Sequence, residues 1–276
     1  MPLSRDEIET LVANLEYLQG ETFRQAEHYG QLEAFCLFVG YPRSGHSLIG
    51  ALLDAHPEMV IAHELDCLRC LRAGLGREPI FSLILEMSAD FHRQGNTWNG
   101  HRYGVENQWQ GRFRQLRVIG DKKGGGSSLL LSRYPKLLDR LYSTLALPIK
   151  FIHVVRDPME NIPGIGRELR VSPDEALKLY FAMAESVAAL KTRVPADSLY
   201  EIHYEDFARE PGWYLRELCR FLGRETTPDY LGDCAALVKP ASRRENEHPP
   251  WPASLLRRIR REAERFEFLA EYPLEY

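Results

Sequence analysis

The chain has 276 residues, of which 44% are hydrophobic and 27% charged, and its formal net charge is -4. This length and composition suit one α/β domain with insertions and a large buried core. The acidic balance disfavours a protein that coats nucleic acid, because such proteins carry a basic excess, but it permits a local basic pocket for one small anion.

The first thirty residues predict a helix on the surface of a soluble protein. Ser4 and Glu7 have the spacing of a capping box, and apolar residues then recur at helical intervals. We therefore expect an N-terminal helix over about residues 4–30. No apolar run here resembles a signal peptide or a membrane span, which predicts a cytoplasmic protein without an integral membrane segment.

Short apolar segments alternate with helical patterns along the rest of the chain. The predicted strands are residues 35–39, 59–62, 117–119, 149–155 and 199–203, and the predicted helices include residues 47–55, 128–145 and 173–193. This alternation predicts an α/β fold, with a parallel sheet flanked by helices and ligands bound at the carboxyl ends of the strands. No repeat or linker divides the chain, so residues 1–276 are expected to form a single domain.

The first predicted strand runs directly into a glycine-bounded loop, Gly40-Tyr-Pro-Arg-Ser-Gly45-His-Ser47, and then into a helical pattern. In outline this matches the Gly-x-x-x-x-Gly-Lys-Ser/Thr loop of nucleoside triphosphatases, which binds phosphate through backbone N–H groups and a helix N-terminus. His46 stands where that loop has its lysine, and Arg43 supplies a cation instead. The pattern therefore predicts a nucleotide with one phosphate at its 5′ end.

Several cysteines and histidines are expected to have structural roles. The five cysteines are scattered and odd in number, which indicates a reducing compartment. Cys67 and Cys70 form a C-x-x-C in a helical pattern, but no second pair completes a zinc site, so we predict packing and no metal. His153, inside a predicted strand, is expected to be a hydrogen-bonded core residue, and His56 to shape a turn.

Four segments between about Phe35 and the C-terminus carry a family resemblance. They are VGYPRSGHSLIGALLDAHPEMVIAHEL, FIHVVRDPMENIPGIGRE, LYEIHYEDFAREPGWYLRELCRFLG and SRRENEHPPWP. In this order they resemble the 5′-phosphosulfate loop, the 3′-phosphate site, the Tyr-Glu-Asp segment and the basic C-terminal loop of sulfotransferases. Those enzymes use 3′-phosphoadenosine-5′-phosphosulfate (PAPS), and their loop typically reads Pro-Lys/Arg-Ser-Gly-Thr-Thr. The resemblance implies a P-loop-like sulfotransferase fold and transfer of a sulfonate to an acceptor hydroxyl or amine, with release of 3′-phosphoadenosine-5′-phosphate (PAP).

The resemblance also implies which residues bind PAPS. They are Arg43, Ser44, Gly45, His46, Ser47, Arg156, Tyr204, Arg243 and Arg244. Arg156 would bind the 3′-phosphate, since a charge at the end of a buried strand needs a partner; a salt bridge to Asp157 or a nearby glutamate is the alternative. Tyr204 would contact adenine, with plain core packing as the alternative.

Two positions of this implied site depart from the family pattern. Gly164 stands where the family usually has a serine of the 3′-phosphate site, so backbone N–H groups or Arg243 and Arg244 are expected to complete it. Leu48 stands where cytosolic members often have an aromatic residue, which implies a different arrangement around adenine.

Sulfonate transfer is an in-line displacement in which the protein mainly positions the reactants and stabilises charge. The resemblance implies that Arg43 and Lys122 stabilise the leaving phosphate without a metal ion. Lys123 is the alternative to Lys122, and a solvated turn is the structural alternative for both. Glu64 resembles the catalytic glutamate of tyrosylprotein sulfotransferases and is the predicted general base. His63 is the competing base, and capping of a helix is the alternative role for Glu64.

The stretch from Phe91 to Phe113 lacks clean periodicity and is rich in aromatic residues, Asn, Gln and Gly. Irregular insertions of this length are usually functional lids or disordered, and the aromatics argue against disorder. About residues 91–113 are therefore predicted to form a cap over the acceptor pocket, or else to pack only on their own aromatics. The acceptor could be a small molecule, a peptide, a glycan or a lipid, and the sequence predicts neither its identity nor the oligomeric state.

Two other functions compete with this prediction. A P-loop kinase would use ATP and magnesium, with Asp157 as the magnesium ligand, but His46 in place of lysine and Arg156 beside Asp157 disfavour it. A non-catalytic relative that only binds nucleotide is the other alternative. The requirement for magnesium distinguishes the kinase, and turnover distinguishes the binding protein.

Overall fold

A computed structural model describes residues 27–239 and 252–272 of the chain. The strands are β1 (Ala34–Gly40), β2 (Met59–Ala62), β3 (Thr97–Trp98), β4 (His101–Arg102), β5 (Val118–Asp121), β6 (Ile149–Val155) and β7 (Leu199–His203). The helices are α1 (His46–Asp54), α2 (Cys67–Ala73), α3 (Arg77–Arg93), α4 (Gly124–Arg133), α5 (Lys136–Leu145), α6 (Pro158–Leu169), α7 (Pro173–Lys191), α8 (Tyr204–Arg209), α9 (Pro211–Phe221), α10 (Pro228–Leu237) and α11 (Ala253–Ala263), with 3-10 turns at Ala196–Ser198 and Glu267–Leu269. The predicted N-terminal helix lies almost entirely outside the described residues, and Arg243 and Arg244 lie wholly outside them.

Five parallel strands form the central sheet in the order β2-β5-β1-β6-β7. Both faces are covered, because alternate side chains of β1 enter different hydrophobic clusters: Phe35, Leu37 and Val39 enter one, and Cys36 and Phe38 the other. Side chains of a strand point alternately to the two faces, so a strand buried on both is apolar throughout. The α/β prediction is confirmed, and β1, which leads into the phosphate loop, is the middle strand.

One predicted helix is wrong in its extent. Residues 128–145 were expected to form a single helix, whereas α4 begins earlier, at Gly124, and ends at Arg133, and α5 begins at Lys136. Tyr134 has an extended backbone (φ -130°, ψ 74°) and precedes Pro135. The proline ring disfavours helical geometry in the residue before it and removes a backbone N–H donor, so the chain breaks there.

The edge of the sheet formed by β2 and β5 brings two predicted site segments together. Ala62 pairs with Asp121 in the parallel register, and Lys122 N–H donates to the Ala62 carbonyl at 3.0 Å. Strand β5 therefore runs two residues beyond the predicted Ile119. The residues that follow the two strands, His63–Glu64 and Lys122–Lys123, lie side by side at the carboxyl end of the sheet.

None of the helices in residues 27–239 and 252–272 is long and apolar enough to cross a membrane. The last described segment instead packs on the domain through Leu255, Ile259 and Phe268, which join side chains of α6 and α7 in a third hydrophobic cluster.

Candidate active site

The phosphate loop, residues 40–47, is fixed by buried polar contacts. Ser44 is fully buried, and its hydroxyl donates to the Tyr41 carbonyl at 3.0 Å. Asn161, at the buried face of α6, donates through Nδ2 to the Pro42 carbonyl at 2.7 Å, and Gly40 N–H donates to Ser128 Oγ at 2.8 Å. These contacts hold the loop backbone from three sides.

Gly45 is required at the point where the loop enters α1. Its φ is 99°, and a Cβ at this position would lie 2.2 Å from Tyr204 Cδ2. No side chain caps the helix here and its first turn has no acidic residue. The free N–H groups and the positive end of the helix dipole are therefore directed toward the loop, as in phosphate-binding helices.

Lys122 connects the phosphate loop to the predicted base. Its side chain is 1% exposed, and Nζ donates to Ser47 Oγ at 2.9 Å and to Glu64 Oε1 at 2.8 Å. Lys123 is more accessible and donates to Glu64 Oε2 at 2.8 Å. One carboxylate is therefore held by two ammonium groups, of which only Lys122 reaches the loop.

This arrangement sets the protonation states at the site. Burial alone would raise the pKa of Glu64, but the charges and hydrogen bonds of Lys122 and Lys123 outweigh it and bring the pKa down to about 2. Burial lowers the pKa of Lys122, and Glu64 opposes that change. Burial, followed by the charge of Lys122, lowers the pKa of both His46 and His63 to about 3. Both histidines are therefore neutral near pH 7.

Glu64 does not cap a helix, which was its alternative predicted role, because the N-cap of α2 is Asp66. Helix α2 begins at Cys67, and its N-terminal region is held by Asp121, whose Oδ1 accepts from Leu65 N–H at 3.0 Å and whose Oδ2 accepts from Cys67 N–H at 2.8 Å. Glu64 instead has a left-handed backbone (φ 70°) that leaves its side chain on the two lysines. Non-glycine residues in this conformation are uncommon and concentrate at functional sites.

Arg156 lies at the end of β6, where it contacts both the loop and Tyr204. Its Nη1 donates to the Arg43 carbonyl at 3.1 Å, and its guanidinium lies 5.1 Å from the centre of the Tyr204 ring. The predicted salt-bridge alternative is present as a 3.9 Å contact between Arg156 Nη2 and Glu160 Oε2. Arg156 Nε is a buried donor without a hydrogen-bond partner among the described residues, so this side of the loop has an unused donor that a bound anion would meet.

Packing explains why Gly164 stands where the family usually has a serine. A Cβ at this position would lie 3.1 Å from Arg43 Cβ, because α6 passes directly against the loop. Arg43 has a left-handed backbone (φ 65°), and its side chain reaches Glu168 of the same helix at 3.7 Å. The glycine therefore makes room for the bulky loop residue.

A cavity of about 700 Å³ joins the loop to the segment predicted as a cap. Its walls include Arg43, Gly45, His46, Ser47, Leu48, Glu64, Trp98, His101, Tyr103, Lys123, Arg156, Glu168, Leu169, Tyr204 and Lys239. The cap differs from the prediction at its start, since residues 91–93 still belong to α3 and are followed by the β3–β4 hairpin. Trp98 of the hairpin and Tyr103 lie against His63, the neighbour of Glu64, with ring centres 5.3 and 5.9 Å from that of the imidazole. The segment therefore does more than pack on its own aromatic residues, since it also forms part of the cavity wall.

The segment predicted as a cap is attached to the rest of the domain by two buried polar residues. Gln110 Nε2 donates to the Ala51 carbonyl at 3.0 Å, and its Oε1 accepts from Val105 N–H at 2.7 Å. Asp54 of α1 accepts from Gly111 N–H at 3.3 Å. Neither residue carried a recognisable motif, because an isolated Gln or Asp gains its partner only through the tertiary fold.

The predicted structural residues have the expected environments. His153 is fully buried between Glu201, at 2.9 Å from Nδ1, and Tyr41, at 3.3 Å from Nε2. His56 accepts from Glu58 N–H and contacts the Glu225 carbonyl. Cys67 and Cys70 are free and buried in the core. Within the described residues, no three His, Cys, Asp or Glu side chains are grouped to hold a metal ion.

Several solved structures of similar fold are sulfotransferases. The sulfotransferase domain of the Synechococcus PCC 7002 olefin synthase superposes with a TM-score of 0.54 at 20% identity, over 88% of this chain and 97% of that one. Sulfotransferase STF9 from Mycobacterium avium superposes with a TM-score of 0.52 at 12% identity, over 93% and 81%. At identities this low, these superpositions show a common fold and nothing further.

Sequence comparisons also match this chain. Protein-tyrosine sulfotransferase 1 of Danio rerio is 28% identical over 199 residues, which are 67% of this chain and 52% of that protein. The chain thus spans about half the length of the curated relative it matches. Residues 37–229, from β1 to the start of α10, match the model of the sulfotransferase family. The chain therefore belongs to the sulfotransferase family.

Proposed function

We propose that this protein transfers a sulfonate from PAPS to a hydroxyl or amine of an acceptor, in line and without a metal ion. The observation that carries the proposal is the position of Lys122 Nζ, 2.9 Å from Ser47 of the phosphate loop and 2.8 Å from Glu64. A buried cation thus lies between the place for a leaving phosphate and a carboxylate that can receive a proton.

The sulfonate donor would lie along the carboxyl ends of the central strands. Backbone N–H groups of residues 45–47 and the Ser47 hydroxyl would bind the 5′-phosphate, with Arg43 beside it. Arg156, whose Nε has no partner among the described residues, would bind the 3′-phosphate. Tyr204, packed between Gly45 and Arg156, would contact the adenosine. Arg243 and Arg244 remain predicted ligands outside the described residues.

In the transfer, sulfur forms a bond to the acceptor oxygen or nitrogen while its bond to the bridging oxygen of PAPS breaks. The electron pair of the broken bond stays on the 5′-phosphate of PAP, where Lys122 and Arg43 stabilise the added charge. The proton of the acceptor passes to Glu64. Because the attacking and leaving atoms lie on opposite sides of sulfur, the acceptor must enter from the hairpin side of the cavity.

Glu64 is a weak base while both lysines hold it, since its pKa is about 2. Efficient bases have a pKa closer to the working pH. The charge that develops on the leaving phosphate would draw Lys122 away from Glu64, and the loss of one ammonium partner raises the pKa of the carboxylate. The base would thus gain strength as the leaving group departs.

The acceptor side of the cavity favours an aromatic hydroxyl as the first class to test. His63 stacks on Phe91 with ring centres 4.1 Å apart, and Trp98 and Tyr103 lie against the same imidazole. The name of the zebrafish relative gives a protein tyrosine as its acceptor. Trp98 and Tyr103 line the cavity, and a planar ring placed against them would direct its hydroxyl toward Glu64.

The competing functions fit less well. Asp157, the magnesium ligand of the kinase alternative, accepts from Met159 N–H at 2.8 Å and caps α6. A non-catalytic protein would have no use for the paired Lys122 and Glu64, whose burial costs solvation.

Calorimetry with PAP in EDTA tests the donor class, with ATP and magnesium as the comparison ligand. We expect PAP to bind without metal and Arg156→Ala to weaken binding at least tenfold, since it removes a charge-assisted contact. Arg193→Ala, at a partly exposed arginine distant from the loop, is the matched control and should bind as wild type.

Labelled PAPS and a panel of phenols, alcohols and amines then test transfer. Tight binding of PAP with no turnover on any acceptor would favour the binding protein. Binding of ATP with magnesium but not of PAP would overturn the sulfotransferase proposal.

A further inference from the structure

The single proton of the Ser44 hydroxyl fixes the tautomer of His46. Ser44 Oγ lies 3.0 Å from the Tyr41 carbonyl, which can only accept, and 3.0 Å from His46 Nδ1. The Tyr41 carbonyl accepts no backbone hydrogen bond from the described residues, so its bond from Ser44 satisfies an otherwise unpaired buried group. With that proton used, the second contact is a hydrogen bond only if His46 Nδ1 carries a hydrogen and donates to Ser44.

A neutral His46 protonated at Nδ1 has a bare lone pair at Nε2. This nitrogen has no hydrogen-bond partner among the described residues, and His46 lines the cavity beside the loop. The ring lies against Gly124, where an added Cβ would be 3.2 Å from Cε1. The imidazole is therefore held in place, with an acceptor rather than a donor available to a ligand.

The charged groups around His46 keep it neutral in the free protein. Lys122 and Lys123, from the end of β5, and the neighbouring His63 oppose a positive charge, whereas Glu64, after β2, favours one. Burial opposes it most strongly. A phosphate at the loop reverses this balance, because each negative charge about 4 Å from an ionisable group near a protein surface raises its pKa by about three pH units, and the 5′-phosphate of PAP carries about two such charges near neutral pH.

We infer that binding of the nucleotide 5′-phosphate is coupled to uptake of one proton by His46, whose Nε2–H then donates to the phosphate. The proton comes from solvent, Nδ1 keeps its bond to Ser44, and the imidazolium replaces the lysine of triphosphatase loops. A bare lone pair would repel a phosphate oxygen, whereas a protonated nitrogen makes a short, charge-assisted bond. The inference rests on the proposed function, since the anion is the 5′-phosphate of PAP or PAPS.

The sign of the pH dependence follows directly. His46 is neutral in the free protein and charged in the complex, so the affinity for PAP falls as pH rises through the pKa of His46 in the complex. The slope reaches about tenfold per pH unit when one proton is taken up. The phosphates of PAP act in the opposite sense, because they lose their second protons near about pH 6.

Calorimetry in buffers of different ionisation enthalpy, at about pH 7.5, counts the protons taken up per PAP bound. At this pH the ligand phosphates are mostly dianions, so they contribute little. We expect wild type to take up a proton and His46→Asn to take up none. The asparagine amide can still donate to Ser44, which preserves the loop. His28→Asn, at a partly exposed histidine outside the cavity, is the matched control and should behave as wild type.

The expected affinities separate the variants further. Between about pH 6 and pH 8, the affinity of wild type for PAP should fall about tenfold or more, whereas that of His46→Asn should stay flat or rise. Nitrogen-15 spectra of labelled histidine should show the Nδ1–H tautomer of His46 in the free protein.

Two results would overturn the inference while leaving the sulfotransferase proposal intact. One is binding of PAP to wild type without proton uptake. The other is unchanged uptake in His46→Asn, which would assign the proton to another group such as His63. Failure of wild type to bind PAP at all would instead overturn the proposed function.

Discussion

The two ends of the cavity are built in different ways. At the loop end, proposed to bind the sulfonate donor and called here the sulfonate-donor end, the loop backbone is held by Ser44 and Asn161, and Gly45 lies against Tyr204 with no room for a side chain. At the opposite end, proposed to bind the acceptor and called here the acceptor end, the β3–β4 hairpin is exposed on all four strand residues, and Trp98 is 40% exposed.

The difference indicates a division of labour. A ligand whose structure does not vary can be bound by loop backbone groups at positions that tolerate few substitutions. A variable ligand is better met by exposed side chains on a short hairpin, which can change without disturbing the core. Lys122 and Glu64 lie where the two ends meet, so they are the first residues with which to test the comparison.

The largest effect is expected at Lys122. Lys122→Met preserves the buried volume but removes the cation next to the leaving phosphate, and turnover should fall about 10³-fold. Lys123→Met is the matched control, with a loss of less than about tenfold expected, because Lys123 does not reach the loop. Single-turnover rates with labelled PAPS measure both. A larger loss of turnover in Lys123→Met than in Lys122→Met would assign stabilisation of the leaving phosphate to Lys123 instead.

Glu64→Gln should lower turnover by about 10²-fold, since it removes the base while preserving the shape of the side chain. It also removes a negative charge near the anion site, so PAP should bind more tightly than to wild type. Calorimetry and turnover on the same sample separate these effects. If Glu64 only positioned the lysines, PAP would bind more weakly to Glu64→Gln than to wild type. That result would remove Glu64 from the catalytic residues proposed between the two ends of the cavity.

Gly45→Ala tests how rigid the sulfonate-donor end is. The added methyl group has both an unfavourable backbone conformation and a contact with Tyr204, so we expect a loss of about 2–4 kcal/mol in the free energy of unfolding. Gly232→Ala is the control, because a Cβ there meets nothing within 4 Å in α10 and should stabilise the helix by about 0.5–1 kcal/mol. Urea unfolding measures both. An unchanged free energy of unfolding in Gly45→Ala would show that the phosphate loop and Tyr204 can rearrange to accept a side chain.

Trp98→Ala should have the smallest effect. Loss of an exposed ring at the acceptor end should raise KM for an aromatic acceptor by about tenfold or less, with kcat and PAP affinity nearly unchanged. Trp213→Ala, at an exposed tryptophan outside the cavity, is the control. A fall in PAP affinity in Trp98→Ala would mean that the two ends are not independent.

The sulfonate-donor end could be predicted from sequence because its parts are contiguous. A buried strand, a glycine-bounded loop and a helix follow one another in residues 35–55, and each has a local pattern. The contact between Glu64 and Lys122 has no such pattern. It depends on the register that pairs Ala62 with Asp121, which only the folded sheet defines. The catalytic roles of the two residues remain predictions.

Asp121 shows what sequence analysis missed and why. In Gly-Asp-Lys-Lys it resembles one charge of a solvated turn, yet it is the last residue of β5, is fully buried and holds the start of α2. An Asp at the end of an apolar run and before a helix is a weak sign of such a role. Its backbone partners lie more than fifty residues away, so no local rule identifies them.

The contact of Gly164 with Arg43 has a consequence for how this chain could have diverged. A side chain at position 164 would lie 3.1 Å from Arg43 Cβ, so the family serine would require Arg43 or α6 to shift by a few tenths of an ångström. Substitutions at touching positions are not additive. The two positions should therefore vary together among descendants of this sequence, and a single exchange taken from a relative should be harmful where the paired exchange is tolerated.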